Sequence, residues 1–168
     1  ISTLVILGIL TAFNNASAQN SILPKVRIVN KRKVEGRNAI RYEHDSAKRW
    51  GYEKNHSNYF YVVPATSSEK KAPLRVVLHS AGGNGDKVLL NDLKQHDWFQ
   101  YYGDDTFHVL YLDCRGIIKT DWWWGYHEIK RNADLYKNEL APAEKRVLST
   151  IKWVIEEYNV DRNRVYLC

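Results

Sequence analysis

The stretch from Pro73 to Asp86, which reads PLRVVLHSAGGNGD, constrains the fold more than any other part of the chain. A proline starts a short apolar run that includes Val76 and Val77, a composition typical of a strand buried on both faces of a parallel sheet. The run ends at His79, and three glycines lie among the next six residues. Such a bare backbone can turn sharply and present its N–H groups to a ligand. We therefore expect a binding loop at the carboxyl end of a strand in the centre of the sheet.

Three interpretations of this glycine loop, residues 79–85, are open. Phosphate binding calls for G-x-x-x-x-G-K-[ST] or G-x-G-x-x-G, and both patterns are incomplete because Lys87 follows Asp86 and only Gly83 and Gly85 match the second. An oxyanion hole calls for a backbone N–H just after the strand, where it stabilises the negative oxygen of an acyl-transfer intermediate. The third possibility is a tight strand-to-helix turn without a ligand.

The N-terminal residues have the features of a secretory signal. The chain begins at Ile1 and contains no methionine, residues 2–13 are apolar, and Ala16-Ser17-Ala18 has the small-x-small pattern of a cleavage site. We expect residues 1–18 to be a signal peptide that is incomplete at its start, a secreted or periplasmic location, and no membrane association after cleavage. A buried N-terminal strand or helix is the alternative.

Residues 19–58 form a basic segment in which we expect edge strands. Between Lys25 and Arg41, seven cationic side chains against Glu35 give a net charge of +6, which equals that of the whole chain. We expect a solvated strand face, with an acidic polysaccharide as the alternative partner. A nucleic acid is not expected, because the run has little aromatic interleaving and belongs to an exported chain. The cationic residues are Lys25, Arg27, Lys31, Arg32, Lys33, Arg37 and Arg41, and the apolar positions that indicate strands are Val26, Ile28, Ile40 and Tyr42.

The remaining sequence alternates between strand and helix patterns. Apolar runs predict strands at residues 59–63 and 107–112, and a short helix follows the glycine loop within residues 87–99. Pro142 opens an amphipathic helix whose apolar positions recur up to Tyr158, and residues 164–168 begin another strand. This order predicts an α/β fold with a mostly parallel sheet.

A long irregular stretch before that helix carries clustered aromatic residues. Trp122, Trp123, Trp124 and Tyr126 could stack on a sugar or aryl ring, or wall an acyl pocket. Three adjacent tryptophans cannot all face one way, so at least one should pack on the body of the domain. Core packing of the whole cluster is the alternative.

Residues 59–168 resemble the N-terminal half of a secreted α/β-hydrolase. The segment IKWVIEEYNVDRNRVYLC is similar to the helix and strand that precede the nucleophile elbow in poly(3-hydroxybutyrate) depolymerases, feruloyl and acetylxylan esterases, and prolyl-oligopeptidase-like hydrolases. His79-Ser80-Ala81-Gly82-Gly83 resembles the His-Gly-x-Gly loop of the same superfamily, although Ser80 stands where glycine is usual. The resemblance implies a partial α/β-hydrolase fold, truncated after the strand that leads to the nucleophile.

The resemblance also implies a site geometry. The strand ending at His79 should lie beside the strand ending at Cys168, roughly 4.8 Å away. Ala81, with Gly82 as second candidate, then supplies the oxyanion-hole N–H, and His79 has a structural role. In the family the serine, acid and histidine of the triad all lie downstream, so we expect this piece alone to be inactive.

The same strand order places Cys114 and Cys168 two strands apart, roughly 9–10 Å, which is beyond disulfide distance. We expect no bond between them. The six histidines show no H-x-x-x-H or H-E-x-x-H spacing and no C-x-x-C occurs, so neither a metal nor a cofactor is expected.

The resulting hypothesis is the N-terminal part of a secreted serine hydrolase that cleaves carboxylic esters through an acyl-enzyme. Its substrate could be a polysaccharide ester, a polyester or a peptide. The alternative is a secreted, non-catalytic carbohydrate-binding module that uses the tryptophans. A nucleotide-binding domain is disfavoured by the export signal and the incomplete phosphate motifs.

Overall fold

The computed structural model describes residues 23–44, 48–52, 58–66, 71–80, 83–93, 105–114, 123 and 140–168. Within these ranges the chain forms one six-stranded sheet and two α-helices. The strands are β1 (Val26–Val34), β2 (Arg37–His44), β3 (Tyr59–Val63), β4 (Leu74–Val77), β5 (His108–Leu112) and β6 (Val165–Leu167); the helices are α1 (Gly85–Leu93) and α2 (Pro142–Glu157).

The strand order across the sheet is β1-β2-β3-β5-β4-β6. β4 pairs in parallel with both β5 and β6, whereas the β1–β2, β2–β3 and β3–β5 pairs are antiparallel. The sheet is therefore mixed, and the expectation of a mostly parallel sheet is wrong for the described strands. Two features cause this: the turn at Glu35 and Gly36, with positive φ values of 46° and 79°, reverses the chain between β1 and β2, and β3 lies antiparallel between β2 and β5.

β4 is an interior strand, as its apolar run predicts, and all four of its residues are buried. It is not central, because the hairpin and β3 add three strands beyond β5. Helices cover both faces of the sheet, so each face has its own apolar core. The α2 side contains Phe60, Val62, Leu74, Val76, Leu110, Ile151 and Val154, and the α1 side contains Tyr61, Val63, Val77, Val88, Leu89, Val109 and Tyr111.

Both helices begin where a side chain satisfies free backbone N–H groups. α1 starts at Gly85, two residues before the predicted helix, because the Asn84 side-chain oxygen accepts the Lys87 N–H at 2.8 Å. α2 starts at Pro142 as predicted, and the Glu144 carboxylate accepts the N–H of Ala141 at 2.8 Å. No helix in the described ranges is long and apolar enough to cross a membrane.

The basic segment forms the outer end of the sheet. β1 is an edge strand as predicted, whereas β2 lies inside the sheet between β1 and β3. Four of the cationic side chains are exposed, in agreement with a solvated face, while Arg32 and Arg41 lie over tyrosine rings on β3. The exposed four are Lys25, Arg27, Lys31 and Lys33.

Candidate functional site

The carboxyl ends of β4 and β6 lie side by side. The Leu78 N–H donates to the Cys168 carbonyl at 3.0 Å, and the Cys168 N–H donates to the Val76 carbonyl at 2.9 Å. The predicted adjacency of these two strands is confirmed. The glycine loop therefore leaves the sheet at the edge where β6 also ends, which is the usual ligand-binding edge of parallel strands.

His79 fixes the first end of the glycine loop. Its Nδ1 lies 3.0 Å from the Ser80 carbonyl oxygen, which can only accept, so Nδ1 carries the proton. Its Nε2 accepts the backbone N–H of Cys114 at 3.3 Å and lies 3.3 Å from the Cys114 Sγ. Both ring nitrogens are thus engaged with the loop itself and with the end of β5. This arrangement agrees with a structural role for a side chain that is 5% exposed.

Trp123 holds the same histidine from the other side. Its indole N–H donates to the His79 carbonyl at 2.8 Å, and the two rings lie 4.8 Å apart. Trp123 also packs against the α2-side core, which confirms that at least one of the three tryptophans faces the body of the domain. The other aromatic candidates, Trp122, Trp124 and Tyr126, lie outside the described residues, as do the oxyanion candidates Ala81 and Gly82.

The second end of the loop is held by short backbone contacts. The Gly83 N–H donates to the Ser80 carbonyl at 2.9 Å, and the Gly85 N–H donates to Asp113 Oδ2 at 2.7 Å. At Gly85 an added Cβ would lie 3.3 Å from the Leu112 carbonyl oxygen, so the amino end of α1 is seated directly against the end of β5.

Two tyrosines on β3 connect two carboxylates next to this loop. The Tyr59 hydroxyl lies 3.0 Å from both Asp86 Oδ2 and Asp113 Oδ2, and the Tyr61 hydroxyl donates to Asp86. Burial, followed by the nearby charge of Asp113 and Asp86, raises the pKa of Tyr59. Arg32 supplies positive charge 3.2 Å from Asp86. Tyr59 therefore keeps its single hydroxyl proton at physiological pH, and the two carboxylates share it as acceptors.

This network extends what the sequence indicates. From the sequence Asp113 could belong to a site, since it directly follows a buried strand, but nothing in the sequence fixes its geometry or its partner. Tyr59 and Asp86 carry no motif, and they meet Asp113 only because β3 pairs with β5 and α1 starts beside it.

β5, β4 and β6 lie side by side in this order, so Cys114 and Cys168 follow strands that are two positions apart, as predicted, and no disulfide joins them in the structure. Among the described residues no group of three or more histidine, cysteine, aspartate or glutamate side chains is arranged to hold a metal ion.

Replacing Gly83 by alanine is expected to destabilise the protein by about 1–2 kcal/mol, the usual cost of overpacking. The added Cβ would lie 3.0 Å from the Ser80 carbonyl oxygen and 3.1 Å from the His79 Cβ, and the carbonyl cannot retreat without losing its bond to the Gly83 N–H. Urea unfolding of the full-length protein measures the loss. Ser80→Ala, at an exposed position, is the matched control and should change stability by less than about 0.5 kcal/mol. Equal stability of the two variants would contradict the prediction.

Comparison with known proteins supports the fold. The sequence matches no model of a known protein family and no curated protein. Its structure is similar to the crystal structure of a proposed acetyl xylan esterase from Bacteroides fragilis, with a TM-score of 0.55 and 12% sequence identity. The match covers 96% of this chain and 45% of the esterase, so the chain spans less than half the length of that protein. The shared feature is the esterase-like α/β fold.

Proposed function

We propose that this chain is the N-terminal part of a secreted serine hydrolase that cleaves carboxylic esters through an acyl-enzyme. In this proposal the glycine loop supplies the oxyanion hole, with the backbone N–H of Ala81 as the principal donor and that of Gly82 as the second candidate. The triad serine belongs to a turn that follows β6, as the family resemblance implies.

The observation that carries the proposal is the pairing of β4 with β6. Their parallel register and the hydrogen bonds around Cys168 bring the start of the glycine loop and the end of β6 to one edge of the sheet. An acyl oxygen on a nucleophile just after β6 would then be within reach of an N–H just after β4, because neighbouring strands are only about 4.8 Å apart.

The substrate proposed first is an acetylated polysaccharide. The similar Bacteroides fragilis structure is described as an acetyl xylan esterase, and esters of plant polysaccharides are among the substrates that the sequence resemblance implies. Acetylated xylan and p-nitrophenyl acetate are therefore the first substrates to test.

Ala81→Pro in the full-length protein is expected to lower kcat for p-nitrophenyl acetate by roughly 10²–10³-fold, the usual effect of removing one oxyanion-hole donor. Proline lacks the N–H, whereas Ala81→Gly retains it and is the matched control. Labelling of the wild type by a fluorophosphonate would detect the nucleophilic serine separately. If folded Ala81→Pro keeps a kcat within about threefold of Ala81→Gly, Ala81 is not the donor. Absence of both esterase activity and labelling in the wild type would overturn the hydrolase proposal.

The alternative, a non-catalytic carbohydrate-binding module, gains no support from Trp123, the one member of the three adjacent tryptophans that the structure describes. The Trp123 ring packs against His79 and its indole N–H is occupied by the His79 carbonyl. Binding of xylan without acetate release would favour this alternative.

A further inference from the structure

The end of β5 contacts both ends of the glycine loop through two consecutive residues. The Cys114 N–H donates to His79 Nε2 at the first end of the loop, and the Asp113 carboxylate accepts the Gly85 N–H at the second. These two residues directly follow β5, which lies beside β4 in parallel register.

We propose that Asp113 is a positioning residue, which holds the glycine loop in the geometry that an oxyanion hole requires. This inference rests on the proposed function and deepens it, since Asp113 acts on the reaction only through the backbone of the loop. A triad acid orients a catalytic histidine, whereas the role proposed here uses the contacts of the Asp113 carboxylate with the Gly85 N–H and the Tyr59 hydroxyl.

The bond to Gly85 has the properties of a strong anchor. It joins a carboxylate to an N–H at 2.7 Å, and charge-assisted bonds of this kind are roughly twice as strong as neutral ones. Asp113 is only 1% exposed, so little water is available to replace it as the acceptor. The accepted N–H belongs to the first turn of α1, where a negative charge is also favoured by the helix dipole.

Tyr59 in turn restrains the Asp113 carboxylate. Its hydroxyl donates within 3.0 Å of the same oxygen, Oδ2, that accepts the Gly85 N–H, and its ring lies against the position where a Gly85 Cβ would be. Arg41 stacks 4.1 Å from the centre of this ring. The orientation of the carboxylate is thus set by β3 and β2 as well as by β5.

A small shift of the loop should lower the reaction rate, because oxyanion donors must lie at hydrogen-bond distance from the developing negative charge. Misplacement of a reacting group by 1 Å can lower the rate about 10²-fold. Substrate binding before the reaction depends much less on these donors. Loss of the Asp113 anchor should therefore lower kcat and leave KM nearly unchanged.

The test compares three variants of the full-length protein with p-nitrophenyl acetate. Asp113→Ala is expected to lower kcat about 30-fold and to leave KM within about twofold of the wild-type value. Asp113→Asn should keep a kcat within about threefold of the wild type, because its amide oxygen can still accept the Gly85 N–H. Asp105→Ala is the matched control: Asp105 is an exposed aspartate at the opposite end of β5, where it contacts Thr66. It should leave kcat unchanged.

Hydrogen exchange provides a second readout that does not depend on activity. Deuterium uptake by a peptide spanning residues 79–85 should rise in Asp113→Ala and not in Asp105→Ala. Equal kcat and equal uptake in these two variants would overturn the positioning role.

If Asp113→Ala does not fold, the same two measurements are made on Tyr59→Phe. This variant should have a lower kcat and a higher deuterium uptake than the wild type, and wild-type values would overturn the inference. If the wild type hydrolyses no ester and is not labelled by a fluorophosphonate, the proposed function is rejected, and so is the positioning role that rests on it. If the wild type is active and Asp113→Ala has the same kcat and deuterium uptake as the wild type, only the positioning role is rejected.

Discussion

Lowering the pH from 7 to 4 is expected to reduce the free energy of unfolding of the full-length protein by about 3 kcal/mol through His44 alone. His44 ends β2 and is 1% exposed. Burial, followed by the positive charge of Arg146, lowers the pKa of His44 from its ordinary value of 6.5 to about 3. Because the unfolded chain binds this proton below pH 6.5 and the folded protein does not, the stability from neutral His44 is complete above pH 6.5 and is lost as the pH falls towards 3.

Both ring nitrogens of His44 make buried hydrogen-bond contacts. Nδ1 lies 3.0 Å from the Asn58 carbonyl oxygen and carries a proton, and Nε2 lies 3.0 Å from the Thr150 Oγ1, which also contacts the Arg146 carbonyl oxygen at 2.8 Å. His108 adds a smaller effect of the same sign, since its Nδ1 accepts the Ala65 N–H and burial lowers its pKa. Asp92 acts in the opposite direction, because burial raises its pKa.

His44→Asn isolates the contribution of His44. Asparagine can still donate to the Asn58 carbonyl but does not titrate, so the difference in unfolding free energy between pH 7 and pH 4 should shrink by about 3 kcal/mol relative to the wild type. His108→Asn, the matched control, should shrink it by less. Urea titrations at both pH values measure the difference. An unchanged pH dependence in His44→Asn would show that His44 does not cause the acid sensitivity.

Replacing Asn58 by leucine is expected to cost about 3 kcal/mol of stability, because it leaves a buried cation without its hydrogen-bond acceptor. Arg146 on α2 is 0% exposed, and its Nη1 donates to Asn58 Oδ1 at 2.9 Å. Its Nε and Nη2 atoms have no partner among the described residues. The Asn58 side chain therefore carries the described hydrogen bonding of this guanidinium, and leucine cannot substitute for it.

Two companion variants separate this electrostatic effect from simple loss of packing. Asn58→Asp supplies a carboxylate for Arg146 and should be within about 1 kcal/mol of the wild type at pH 7. Arg146→Met removes the buried charge, so the double variant Asn58→Leu/Arg146→Met should recover about 2 kcal/mol relative to Asn58→Leu alone. Urea unfolding at pH 7 is measured for five proteins: the wild type, Asn58→Leu, Asn58→Asp, Arg146→Met and the double variant. Additive losses in the double variant would mean that the two side chains do not interact.

Most secondary structure could be predicted from local sequence. The apolar runs predicted β3, β4 and β5, and the apolar spacing after Pro142 predicted α2. These predictions are possible because burial of a strand, or of one side of a helix, leaves a pattern of apolar residues that can be read from neighbouring positions. The start of α1 was predicted two residues late, since its cap depends on the Asn84 side chain. The sheet was predicted as mostly parallel because the antiparallel pairing of β3 with β2 and β5 is a tertiary contact that no local pattern indicates.

The candidate site was predictable only in outline. The glycine loop and its place at the carboxyl end of β4 followed from residues 73–86, and the neighbouring β6 followed from the family resemblance. Whether Ala81 is the oxyanion donor stays a prediction. The anchoring of the loop by Asp113 was not predictable, because no local pattern states which carboxylate will meet the Gly85 N–H.

What the sequence by itself determined is therefore the set of buried strands and helices and the position of the glycine loop between two of them. Only the tertiary structure decided which polar side chains share the buried space. His44 meets Thr150 across 106 positions of the chain, and Asp113 meets Gly85 across 28. Apolar burial repeats along a strand or helix and can be seen locally, whereas a buried hydrogen bond pairs two particular atoms that only the assembled sheet and helices bring together.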